Sequence, residues 1–281
     1  MLLLILELAG RPVQRLELMK WSFLLRHETA SKGGSSFYDF VPYRFGPFSF
    51  ALYQEIQRLV ELNYLLEEDD QTWRINPEPV GSPLELAPSV EKEVRRLFSR
   101  LARFSANQLV DYVYERHPEF TVNSERAKLR TRPTADVAVF TAGYEGISVD
   151  CFLNLLVQNG VERLIDVRNN PTSRRYGFHK STLARLSNKL GIQYAHFPEL
   201  GIRSEKRQLF PPDGDRAALF DEYEGTTLLI EKAALEAVSK LVTERPSVLV
   251  CMEAAPECCH RSRLAYRIAG TTNLPIRHLR P

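Results

Sequence analysis

The sequence has little of what marks a secreted, membrane-bound or polyanion-coating protein. Only four cysteines occur among 281 residues, and three of them crowd together as Cys251, Cys258 and Cys259. That crowding argues against a disulfide framework and predicts a reducing, cytoplasmic setting. No apolar run approaches the ~20 residues that a bilayer crossing requires, so no membrane partner is expected. The apolar opening, Met1 to Leu8, lacks a basic leader, carries Glu7 and is too short for a secretory signal. Neither sign of charge dominates: 37 basic and 35 acidic side chains leave a net +2. A chain built to coat nucleic acid is thereby excluded, while a local basic face is not. Internal repeats and low-complexity tracts are missing as well. What is present is ordinary globular material, 44% hydrophobic and 26% charged, and long enough for two domains with a core in each.

Two breaks divide the chain. Asn76 to Pro83 holds three prolines and a glycine with no helical or strand period. Arg130 to Ala135 precedes the strand-like run Val137 to Thr141. Residues 1–80 therefore read as one module, 81–135 as a helical connector and 136–281 as an α/β domain.

In the first module, a short helix at Leu2–Ala9 is closed by Gly10. A second helix carries Leu16, Met19, Phe23 and Leu24 on one face. The third has Leu52, Ile56, Leu59 and Val60 at amphipathic spacing. Tyr64 to Leu66 and Thr72 to Ile75 read as strands flanking the acidic Glu67 to Asp70. Three helices followed by a hairpin is the order of a winged helix-turn-helix. The run Tyr43 to Leu65 resembles the recognition-helix region of winged-helix modules attached to bacterial enzymes and antitoxins. Such a helix needs polar and basic side chains to reach bases and phosphates. Arg44, Gln54, Gln57 and Arg58 are the candidates, yet four consecutive acids at the wing tip repel phosphate. DNA contact and a protein-contact or homodimer role both stay open. The connector, with Val94, Leu97, Phe98 and Leu101 as a buried stripe and Ser105 as an N-cap, suggests packing and no chemistry.

From residue 137 the pattern alternates. Strands are predicted at 137–141, 163–167, 193–197, 247–252 and 275–279. Helices are predicted at 149–158, 181–190, 226–243 and 261–269. Apolar strands separated by amphipathic helices imply a Rossmann-like parallel sheet with helices on both faces. The working crevice of such a sheet lies beyond the carboxyl ends of its strands. Tyr144 and Glu145, then Asp166 and Arg168, then Cys251 and Glu253 follow three of those strands. Ser173, Arg174 and Lys180 lie in the loop after the second, and Cys258, Cys259, His260 and Arg261 open the last helix.

These segments resemble a known family. Thr141-Ala-Gly-Tyr-Glu-Gly, Leu164-Ile-Asp-Val-Arg-Asn-Asn-Pro-Thr-Ser-Arg, Gly177-Phe-His-Lys, Pro198-Glu-Leu-Gly and Cys251-Met-Glu with Cys259-His-Arg look like signatures of the bacterial family catalogued as domain of unknown function 488. The resemblance spans about residues 137–281. It implies an α/β domain with an enzyme-like set of polar residues and no settled activity. His179 departs from the small polar residue common there, and Cys258-Cys259 doubles a usual single cysteine.

Chemistry narrows the roles. Asp166 can orient Arg168 or Arg174, and a guanidinium fork suits phosphate or carboxylate. Glu253 can act as a general base or as a clamp on Arg261. Tyr144 and Glu145 complete an acid/base set for a nucleotide or glycosidic bond, with Tyr144 also able to stack on a base. Ser173, Lys180, Cys259, His260 and Arg261 are read as substrate contacts. Adjacent cysteines at this spacing match no common zinc knuckle, so no metal is expected, and no cofactor is specified. Asp-Val-Arg plus a strand-end cysteine also resembles rhodanese sulfurtransferases, although the acidic loop does not suit a persulfide. The leading expectation is a protein that processes a nucleotide or nucleic acid bearing phosphate. A non-catalytic DNA-binding regulator that senses a ligand and a sulfur-transfer enzyme are the alternatives.

Overall fold

A computed structural model describes residues 1–78, 86–203, 205–206 and 216–281. The proline-rich break predicted at 76–83 lies outside the described residues from position 79 onward. The chain forms two compact units, Met1–Thr131 and Arg132–Pro281.

The first unit runs α1 (Leu2–Ala9), β1 (Val13–Gln14), α2 (Arg15–Glu28), β2 (Val41–Tyr43), β3 (Gly46–Phe48), α3 (Phe50–Glu61), β4 (Leu65–Asp69), β5 (Thr72–Ile75), α4 (Pro88–Leu101) and α5 (Ala106–Arg116). Gly10 ends α1 in the left-handed region at φ 60°, where a residue without Cβ carries no steric penalty. Ser49 caps α3 by accepting a hydrogen bond from the Leu52 amide. The strands form an antiparallel sheet in the order β1-β5-β4 and a separate β2-β3 hairpin. One core joins Leu18, Phe23 and Leu24 of α2, Leu52 and Ile56 of α3, Val94 and Leu97 of α4, and Leu109 and Val113 of α5. The two helices after residue 87 are thus built into the first unit and do not form a separate connector.

The second unit runs β6 (Val139–Gly143), α6 (Val149–Gln158), β7 (Arg163–Asp166), α7 (Lys180–Lys189), β8 (Gln193–His196), α8 (Arg216–Gly225), α9 (Thr227–Ile230), α10 (Lys232–Glu244), β9 (Ser247–Cys251), α11 (His260–Thr272) and β10 (Ile276–Leu279). The five strands form one parallel sheet in the order β10-β6-β9-β7-β8. This is the α/β class expected from the alternating pattern. Val139, Ile165 and Leu249 face a core shared with α8, α10 and α11. Their strand neighbours Phe140, Leu164, Val248 and Val250 point the other way and are equally buried, as are Phe152 and Leu153 of α6 and Leu183 and Leu186 of α7. Burial on both faces explains why these strands read as continuous apolar runs. Among the described residues, no helix is long and apolar enough to cross a membrane.

Candidate functional site

The register fixes the geography. Gly143 at the end of β6 lies opposite Cys251 at the end of β9, and Asp166 at the end of β7 lies opposite Val250 and His196. Tyr144, Glu145, Asp166, Arg168, Cys251 and Glu253 therefore gather at one rim, the carboxyl edge of the sheet. Gly143 makes this possible, because a Cβ there would sit 1.8 Å from the Glu253 carbonyl oxygen. With no side chain in the way, the segment after β9 crosses over β6. The amides of Tyr144 and Glu145 both donate to the Met252 carbonyl, at 3.0 and 2.9 Å. Glu145, exposed to solvent, accepts from the Ala254 amide at 3.0 Å.

Asp166 and Arg168 form a sealed pair. Asp166 is fully buried and Arg168 is 4% exposed. Arg168 donates to both carboxylate oxygens, from Nε at 2.8 Å and from Nη2 at 2.5 Å. Its Nη1 donates to the Tyr144 hydroxyl at 2.7 Å and to the Phe178 carbonyl at 2.9 Å. Tyr194 donates to the same Oδ2 of Asp166 that Arg168 Nη2 contacts, at 2.6 Å. Burial alone would lower the Arg168 pKa, but the hydrogen bond and charge of Asp166 outweigh it and raise the value. Every guanidinium nitrogen is thus committed within the protein, so Arg168 orients the loop instead of holding a ligand. Asp166 pairs with Arg168 and not with Arg174. Tyr144 stacks on Phe178 with ring centroids 4.1 Å apart, which occupies a face predicted to stack on a base. Burial raises its pKa.

The second cluster is built on sulfur. Cys251 ends β9, and Cys259 and His260 begin α11; all three are buried. The Cys251 thiol donates to Glu253 Oε2 at 3.1 Å. Its Sγ lies 3.8 Å from His260 Nδ1, and Cys259 Sγ lies 3.9 Å from the same nitrogen. His260 Nε2 lies 3.2 Å from the Val167 carbonyl, an acceptor that assigns the ring proton to Nε2 and turns the Nδ1 lone pair toward both sulfurs. A hydrogen bond from Cys259 draws the Cys251 pKa down, with His260 assisting against burial. Burial and the neighbouring Cys251 push Cys259 up, and burial followed by Cys251 does the same to Glu253. Arg261, also buried, donates to the Glu253 carbonyl at 2.5 Å and to the Ala254 carbonyl at 3.0 Å, so it clamps the crossing segment by its backbone.

Around these clusters lie the loop residues. The Ser173 hydroxyl accepts from the Arg175 amide at 3.1 Å, a turn-fixing contact. Arg174 and Lys180 are exposed, and neither forms an ion pair among the described residues. Arg175 donates to the Tyr144 carbonyl at 3.2 Å and to the Ile147 carbonyl. Its role was not foreseen, nor were those of Tyr194 and Phe178. Their signal in the sequence is only proximity to Asp166 and Arg168 across strands. Beside the rim, Asn169, Gly201, Arg203, Lys206 and Thr226 help line a cleft of about 420 Å³. In the first unit, Gln54 and Arg58 are exposed on α3 and Gln57 is half-buried, while Arg44 pairs with Glu125 at 3.3 Å.

Residues 148–268 match the family described as Domain of unknown function DUF488. The matched stretch lies within the second unit. The matched stretch holds Asp166, Arg168, the loop to Lys180, Cys251, Glu253 and the Cys259–Arg261 helix start. Tyr144 and Glu145 lie just before the matched stretch. No curated protein and no solved structure matches the chain.

Proposed function

We propose that the DUF488 domain processes a nucleotide or nucleic acid, drawing its phosphate to the sheet rim through the loop that follows β7. The observation that carries this reading is the one-sided charge of that loop. From Val167 to Thr182 there is no Asp or Glu, while Arg174 and Lys180 point to solvent without ion-pair partners among the described residues. Cations freed from carboxylates are the groups that recognise phosphate. The loop adjoins the reactive cluster directly, since His260 bonds to the carbonyl of Val167, its first residue. Anion binding then falls to Arg174 and Lys180, while Arg168 and Arg261 position the rim. Cys251 and Glu253 supply nucleophilic or acid/base chemistry. The first unit is proposed as a winged helix that contacts DNA or a protein partner through Gln54, Gln57 and Arg58 on α3.

The test is ligand binding by the full chain. A nucleotide panel and a labelled single-stranded oligonucleotide should bind with an affinity that falls as salt rises. Arg174→Ala combined with Lys180→Ala should weaken binding by about tenfold or more, as expected for losing contacts from charged donors. Unchanged binding in that variant, or no binding by wild type, would remove the reading. Mass spectrometry of the bound nucleotide separates processing from a regulator that only senses it. Sulfur transfer remains as a second reading because the two thiols of Cys251 and Cys259 stand together. It is disfavoured by the Glu253 carboxylate 3.1 Å from the sulfur that would carry the persulfide.

A further inference from the structure

Cys251, Cys259 and His260 each offer one ligand atom, and the three atoms lie within 4.8 Å of one another. The nine-residue spacing from Cys251 to His260 fits no contiguous zinc knuckle. The fold supplies the convergence by another route, with one sulfur from a strand end and the other two donors from the start of the next helix. We infer that these three side chains form a binding site for a thiolate-preferring divalent cation of the zinc class. Glu253 stands at its edge, beside the fourth position.

Four observations support the assignment. The sulfur–nitrogen separations of 3.8 and 3.9 Å are long for hydrogen bonds but near the ~3.6 Å edges of a tetrahedron with metal–sulfur bonds of about 2.3 Å and metal–nitrogen bonds of about 2.0 Å. Closing that gap needs only a few tenths of an ångström. His260 has the second contact typical of a ligating imidazole, its Nε2 held by the Val167 carbonyl so that Nδ1 is the free donor. All three residues are buried, and two thiols with an imidazole form a donor set of the kind zinc prefers. Finally, charge balances. Arg261 is 1% exposed and forms no ion pair among the described residues. Two thiolates, a carboxylate, a divalent cation and this guanidinium sum to neutrality.

With three protein ligands and a carboxylate next to the fourth position, the site has the composition of catalytic zinc centres, in which a bound water is activated. The inference does not depend on phosphate recognition by Arg174 and Lys180, and its test uses no nucleotide. It replaces a nucleophilic role of Cys251 with that of a metal ligand and leaves Glu253 as the acid/base group. The full chain is purified under reducing conditions without chelator, and its metal content is measured by inductively coupled plasma mass spectrometry. One zinc per chain is expected. After chelation and refilling with cobalt, a thiolate-to-cobalt charge-transfer band should appear. Cys259→Ser and His260→Ala should each weaken zinc binding by more than about a hundredfold, beyond the usual cost of losing an outer contact. Cys151→Ser and Cys258→Ser should leave it unchanged. If the ligand variants fail to fold, stoichiometry and the cobalt spectrum of the wild type decide alone. Absence of that band, retention of binding in folded Cys259→Ser, or a Cys251–Cys259 disulfide in metal-free protein would each overturn the site.

Discussion

Lys20 shows what a single side chain can do to the whole fold. It lies in α2 and is 1% exposed, donating to the carbonyls of Phe45 and Pro47 and pairing with no carboxylate among the described residues. Burial lowers its pKa from 10.5 to about 7. The unfolded chain therefore holds this proton up to about pH 10, while the folded chain releases it near 7. Between those values the unfolded state binds more protons, so stability rises with pH. Chemical denaturation should show a gain of about 2 kcal/mol from pH 7 to pH 9 attributable to this group. Lys20→Met should flatten the slope even if it lowers stability overall, since the two carbonyls lose their donor. An equal slope in the variant would assign the proton elsewhere. Asp166 and Arg168 illustrate the opposite limit. Their types and strand-end position were legible in the sequence, but not their closure into a pair that Tyr144, Tyr194 and Phe178 complete from other strands and loops. Sequence spacing reports which side chains share a rim. It does not report which donors are already taken, because that depends on neighbours far along the chain.

At the level of elements, the same limit appears in a different form. The strands and helices of the second unit were legible because burial on both faces leaves continuous apolar runs between amphipathic helices. The exceptions have local causes. Helix 226–243 is interrupted at Glu231, where ψ of 44° leaves the helical range and separates α9 from α10. The β2-β3 hairpin carries little strand signal, because Pro42 and Pro47 occupy it and face each other in register. For the candidate site, the decisive element is the crossing of segment 252–254 over β6, which rests on Gly143. Gly143→Ala should force that segment outward, at a cost of about 1–3 kcal/mol as for other overpacked positions. It should also disturb the sulfur cluster one residue before the segment. Denaturation reads the first effect and thiol labelling of Cys251 the second, with faster labelling expected. A variant with wild-type stability and labelling would mean that the crossing is not held by close approach.

At the scale of the whole molecule, the chain divides at Thr131, and each side has its own sheet and its own buried core. Every residue assigned to the candidate site, from Tyr144 to Arg261, belongs to the second unit, as do the partners that fix it. Tyr194 and His196 come from β8, and Phe178 from the loop before α7. Even the linker end is secured locally, with Arg132 donating to the carbonyls of Leu190 and Val161. A fragment of residues 132–281 is therefore expected to unfold in one cooperative transition. It should also bind nucleotide within about threefold of the full chain, a difference of less than 1 kcal/mol. Calorimetry checks the first expectation and titration the second. A folded fragment with binding weakened tenfold or more would show that residues 1–131 supply part of the phosphate site. In that case the cation-rich loop after β7 is insufficient by itself. A fragment that fails to fold would instead show that the core around Val139, Ile165 and Leu249 needs the first unit, which its complete set of internal strand and helix partners argues against.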